Sequence, residues 1–149
     1  MSETRQQFEQ SYPVIQSVDV QWGDMDALQH VNNVVYFRYY ENVRIAYMAR
    51  TSMLNNKDMG PVLAATESQY KRPLTFPDHI LVGARVAEIH PYGCLQEYAV
   101  YSVGQDAITS RGTARIVILN PQTGAKVVMS EQLVTQIEAL EGRQPPSQR

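Results

Sequence analysis

From Asn33 to Arg50 the chain runs without Gly or Pro, and its polar residues Arg38, Glu41 and Asn42 fall at i, i+3 and i+4, one stripe of a helix. Around that stripe lie Tyr36, Phe37, Tyr39, Tyr40, Val43 and Tyr47. A helix apolar over most of its circumference predicts enclosure by other elements rather than a seat on a surface. Glu41 is spaced to pair with Arg38 or Arg44 across one turn. Ahead of the helix, Val18 to Trp22 reads as a short strand followed by a polar loop. Behind it the period changes to two. Val62 to Leu74, Ile80 to Ala87, Leu95 to Val103 and Ile108 to Ile118 read as successive strands, the last alternating most cleanly. The turn formers of NPQTGAK, Asn120 to Lys126, reverse the chain. Ser130 then caps a closing helix bearing Leu133, Ile137 and Leu140. Strands that follow one another without intervening helices predict an antiparallel sheet in an α+β arrangement. The pattern is a good match to the hotdog architecture, an antiparallel curved sheet wrapped around one long central helix, and by itself it also allows other α+β folds.

Composition narrows the class. The chain has 149 residues, 44% of them hydrophobic, which is enough for one core without disulfides or metal. No Ser/Gly linker, repeat or charge block divides it, so residues 1–149 are expected to form a single domain, with 1–12 and 142–149 loose. The formal charge of -2 lacks the basic excess of a nucleic-acid coat. A lone cysteine, Cys94, forms no intramolecular disulfide and fits a reducing compartment. The start MSETRQQFEQ has no apolar secretory core, and no stretch is long and apolar enough to span a membrane. The expected location is cytoplasmic.

The run WGDMDALQHVNNVVYFRYYENVR, Trp22 to Arg44, and the later YKRPLTFPD, Tyr70 to Asp78, carry a resemblance. Together with the strand order they resemble the thioesterase superfamily that includes 4-hydroxybenzoyl-CoA thioesterase, over Val18 to Leu119. The resemblance implies a catalytic carboxylate at Asp26, the second acid of the Asp-x-Asp pair. It also implies that the backbone N–H at Asn33, in the first turn of the central helix, meets the thioester oxygen. The wording QHVNN, Gln29 to Asn33, is similar to the aliphatic acyl branch, which has an active-site His at the place of His30. That branch also has an Asn two residues earlier, where this chain has Leu28, so His30 is the secondary candidate. Asn32 and Tyr36, at the helix start, are the substrate-binding candidates. Family members place the site between protomers, which implies a homodimer or homotetramer.

This chemistry needs few parts. A thiol has a pKa of about 8.5, so sulfur leaves a thioester without much help. What remains is to polarise the carbonyl, which unpaired N–H groups at a helix N-terminus can do, and to deliver an oxygen nucleophile. A carboxylate does the second directly, through a mixed anhydride, or as general base on water. The expected reaction is hydrolysis of a fatty or other acyl-CoA, or an acyl-carrier-protein ester, to free acid and thiol. Two alternatives stand beside it: an acyl thioester dehydratase or hydratase using His30 with Asp26, and a non-catalytic acyl-CoA-binding protein. No cofactor is implied. His30, His79 and His90 lack metal-ligand spacing and no second Cys joins them, so no metal is expected.

Overall fold

The computed structural model describes residues 3–148. Helix α1 spans Arg5–Ser11 and strand β1 Val14–Asp19, and a 3-10 turn follows at Trp22–Asp24. The central helix α2 covers Asn33–Met48. Strands β2 (Gly60–Tyr70), β3 (His79–His90), β4 (Gly93–Ser102) and β5 (Ala107–Leu119) come next, and helix α3 (Glu131–Glu141) closes the chain. The strands form one five-stranded sheet in the order β1-β3-β4-β5-β2, antiparallel at every pairing. The sheet curves around α2, so the α+β hotdog expectation holds.

α2 starts where the Asn32 side chain accepts from the Val34 N–H, a helix cap of the usual Asn type. Its Tyr36, Tyr40, Val43 and Tyr47 pack on Val82, Ala84, Ile116 and their neighbours to make the main core. Tyr40 is fully buried and stacks on Tyr98 at 5.2 Å. The enclosure is one-sided, however. Val34 and Ile45 remain 66% and 46% exposed on the far side of the helix. Neither of the ion pairs expected of Glu41 forms among the described residues. Arg44 is turned to the buried side, where it donates to the Tyr98 hydroxyl at 3.3 Å, while Glu41 points to solvent.

The first strand lies earlier than its pattern suggested. Val14 to Asp19 pair with Ala84 to His79, and Trp22 has already left the sheet for the 3-10 turn. The described parts of both chain ends, 3–12 and 142–148, expected to be loose, are tied down; residues 1, 2 and 149 of that expectation lie outside the described residues. Thr4 and Gln7 form a capping box for α1, and Phe8, with no exposed surface, packs against Tyr12 and Tyr101 on the sheet face opposite α2. Gly83 permits this, because a Cβ there would meet Tyr12 Cγ at 2.6 Å. At the other end, β1 covers β3 only as far as Ala84, leaving the remaining β3 edge open. The tail satisfies it: Ile89 N donates to Pro146 O at 2.9 Å and Gln148 N to Ile89 O at 2.8 Å. The Glu141 carboxylate accepts from Val86 N at 2.9 Å and from the Tyr47 hydroxyl at 2.6 Å.

Replacing Phe8 by Ala should release α1. The expected cost is about 3 kcal/mol, the low end for a buried Phe→Ala, because α1 can detach without unfolding the sheet. Limited trypsin digestion followed by mass spectrometry would check it. Cleavage after Arg5 should quicken in the variant while the strands stay protected.

Candidate active site

The loop from Val20 to Asn32 joins β1 to α2 and folds as a small hairpin. Met25 bridges Val31 in antiparallel fashion, and Asp26 N donates to His30 O at 2.8 Å. At the tip, Gln29 takes a positive φ of 64° and its N–H returns to Asp26 O at 3.0 Å. This hairpin delivers Asp26 to the N-terminus of α2. One carboxylate oxygen of Asp26, Oδ1, accepts from Leu28 N at 2.9 Å. Among the described residues Oδ2 has no such bond, and a half-exposed carboxylate with a free oxygen can reach a substrate.

A cleft of about 370 Å³ brings the candidates together. Asp26, His30, Asn33 and Tyr36 line it, with Tyr70 of β2 and the Lys71–Arg72 pair that follows. In the first turn of α2 the Val34 N–H is taken by Asn32 Oδ1 and the Val35 N–H by Asn32 O. The Asn33 N–H forms no bond within the chain among the described residues, so it remains a free donor at the positive end of the helix. Asn32 itself is not brought into the cleft; its carboxamide oxygen is spent on capping. His30 is exposed and, among the described residues, its ring has no hydrogen-bond partner; it is linked to Asp26 through the main chain. Tyr36 presents its ring to the cleft, edge-on to Tyr70 at 4.9 Å, while burial pushes its hydroxyl up to about 12. That hydroxyl lies near Thr109 and the Leu74 main chain without a well-formed hydrogen bond.

Asp26 also borders a second cleft of about 590 Å³, walled by Trp22, Met25, Thr75 and Phe76. Trp22 is 77% exposed and Phe76 44%. Asp26 thus borders both a cleft rimmed by Lys71 and Arg72 and one walled by Trp22 and Phe76. Sequence reasoning missed Tyr70, whose hydroxyl donates to Asn33 O at 3.2 Å. Its stretch was noticed, but only the β2–β5 register, which fixes where β2 ends beside α2, places it at the site. On the other sheet face, Tyr12, Arg85, Glu97 and Arg111 line a hollow of about 200 Å³ across which Arg85 is bonded to Glu97 at 2.9 Å.

Among the described residues no group of His, Cys, Asp and Glu could hold a metal ion. No helix among the described residues is long and apolar enough to cross a membrane. Cys94 is buried, and loss of solvation drives its thiol up to about 12. It should therefore stay unreactive toward an aromatic disulfide reagent at neutral pH until the protein is unfolded. Counting titratable thiol before and after denaturant would show this, and a fast-reacting native thiol would contradict it.

Comparison with known proteins agrees with the fold. A thioesterase from Thermus thermophilus, solved with coenzyme A and Zn, is 32% identical, with a TM-score of 0.79 over 89% of this chain and 98% of its own. The PA5185 protein of Pseudomonas aeruginosa strain PAO1 shares the fold at 22% identity and a TM-score of 0.80, over 98% of this chain and 99% of its own. The uncharacterised YsmA of Bacillus subtilis (strain 168) is 34% identical over 68 residues, 45% of this chain and 46% of its own, so the match spans about half of that curated relative. A family model described as the thioesterase-like superfamily matches residues 20–137, the whole stretch from the Asp26 hairpin into α3. The chain belongs to the thioesterase-like superfamily.

Proposed function

We propose that the chain is an acyl-CoA thioesterase that hydrolyses an acyl thioester to free acid and coenzyme A. One observation carries the reading: Asp26 and Asn33, the residue with the free N–H at the head of α2, line the same cleft. The thioester oxygen sits on that N–H, where a preorganised donor contributes on the order of 3 kcal/mol as charge develops. Asp26 then supplies the nucleophile. As general base it takes a proton from water, whose oxygen bonds to the acyl carbon; the C–S bond breaks and the thiolate leaves to be protonated. As direct nucleophile it forms a mixed anhydride that water opens. Both routes need the same two groups and no cofactor. The unbridged side chains of His30 and Asp26 favour hydrolysis over a dehydratase relay, and the free carboxylate oxygen favours an enzyme over a mere binder.

Lys71 and Arg72 on the rim suit the phosphates of coenzyme A, or an acidic carrier protein. The QHVNN stretch points to aliphatic acyl groups. The reading includes assembly into a homodimer or homotetramer. β2 is an open sheet edge, with Leu63, 43% exposed, lining one hollow with the uncovered Val34 of α2, and Val62, 44% exposed, on the other face of the strand; a second copy along this edge would bury these apolar groups. It places the enzyme in the cytoplasm, where a lone thiol stays reduced. The test is thiol release from short, medium and long aliphatic and aromatic acyl-CoAs, then from acyl-carrier-protein esters. Aliphatic esters should be turned over. Silence with every ester would overturn the proposal.

A further inference from the structure

We propose that Asp24 is a positioning residue which, with Tyr39, clamps the hairpin bearing Asp26 to helix α2 and so fixes the carboxylate against the Asn33 N–H. The inference rests on the hydrolase reading above and adds a residue to it. Asp24 sits at the base of the hairpin, and three bonds converge there. Its Oδ2 accepts from the Tyr39 hydroxyl at 2.9 Å and from Gln21 N at 2.9 Å. Its main-chain oxygen accepts from Asn32 N, also at 2.9 Å. The first bond reaches the second turn of α2, the second holds the 3-10 turn, and the third ties the hairpin to the helix cap. Without them, the hairpin would be joined to the helix mainly through its own chain.

Three features separate this role from chemistry. Asp24 lines neither of the clefts that Asp26 borders. Tyr39 is 4% exposed, and burial first, then the Asp24 carboxylate, raise its hydroxyl well above the usual range, so it stays a donor. The bonds call for an acceptor oxygen at Asp24, not for a base. An Asn there keeps an oxygen for Tyr39 and Gln21, whereas an Ala keeps only the main-chain bond from Asn32 N.

The test compares Asp24→Asn, Asp24→Ala and Tyr39→Phe in the full chain, reading kcat, KM and amide hydrogen exchange over residues 20–33. Asp24→Ala and Tyr39→Phe should each lower kcat by about 10- to 100-fold, the scale of a displaced reacting group, with KM changed by less than about threefold. Asp24→Asn should stay within about threefold of the unaltered chain. The double variant Asp24→Ala/Tyr39→Phe should be no worse than Asp24→Ala alone, since both remove one interaction. Exchange should quicken in the hairpin of the two damaging variants and remain slow in β3 and β4. An Asp24→Asn as inactive as Asp26→Asn would overturn the proposal by giving Asp24 a chemical task. So would unchanged exchange, or faster exchange with kcat intact. The exchange arm needs no substrate, so it judges the clamp even if no ester is hydrolysed. That failure would then fall on the hydrolase reading alone.

Discussion

Replacing Asp26 by Asn should lower kcat for the best acyl-CoA by about 10²- to 10⁴-fold, the range a positioned base or nucleophile supplies. KM should change little, because the carboxylate is asked to act on the reacting bond and not to hold the carrier. Asn is the right replacement on structural grounds. Its side-chain oxygen can still accept from Leu28 N, the bond that Asp26 Oδ1 makes at 2.9 Å, so the hairpin keeps its shape. What it loses is the free, basic oxygen. Melting temperature and oligomeric state should therefore match the unaltered protein. His30→Ala supplies the contrast. Its ring is exposed and makes no bond among the described residues, and its loss should cost less than about tenfold. Thiol release measured for both variants checks the pair of expectations. If Asp26→Asn keeps full activity, the carboxylate leaves the centre of the mechanism; if His30→Ala is the damaging change, the base has been misassigned.

The contrast also shows what could be read in the chain before folding. α2 was legible because Asn33 to Arg50 has helical periodicity without a breaker and an Asn at its head, all local properties. β5 was legible for the same reason at a period of two. The wrongly placed first strand, Val18 to Trp22, failed because its boundary is not local. The chain leaves the sheet where Asp24 captures Gln21 N, a side-chain bond no periodicity reports. The two ends failed for a related reason. Phe8 looks stray in a polar stretch until Gly83 opens room on the sheet for Tyr12 beside it. The Pro-rich tail looks frayed until β1 stops short and leaves Ile89 an edge to fill. At the site, Asp26, His30 and Asn33 are near in sequence and their grouping was readable. Tyr70 reaches Asn33 across the sheet register, and Asp24 acts through Tyr39 a full hairpin away. Such pairings belong to the tertiary fold.

Gly112→Ala should destabilise the protein by about 3–5 kcal/mol, combining overpacking with lost hydrogen bonds. A Cβ at Gly112 would stand 2.6 Å from Tyr40 Cε2, 2.8 Å from its Cζ and 3.0 Å from Glu67 O. The Glu67 carbonyl belongs to the β2 backbone and cannot retreat without breaking its pairing with β5. Tyr40 cannot swing aside either. Its ring is fully buried against Tyr98, and its hydroxyl donates to Ser110 and accepts from Ser68, each at 2.8 Å. Relief requires lifting the ring, which forfeits both bonds and raises α2 from the sheet. For a chain of this length, the fall in melting temperature should be roughly 10 °C. Because Tyr36, at the cleft, lies one turn before Tyr40 on the same helix, thiol release should fall as well. The decisive comparison is the double variant Gly112→Ala/Tyr40→Leu. A smaller side chain makes room for the new methyl, so the two losses should sum to clearly more than the double costs. Strict additivity would mean that the methyl is opposed by the strand backbone and that Tyr40 does not seat the helix through Gly112.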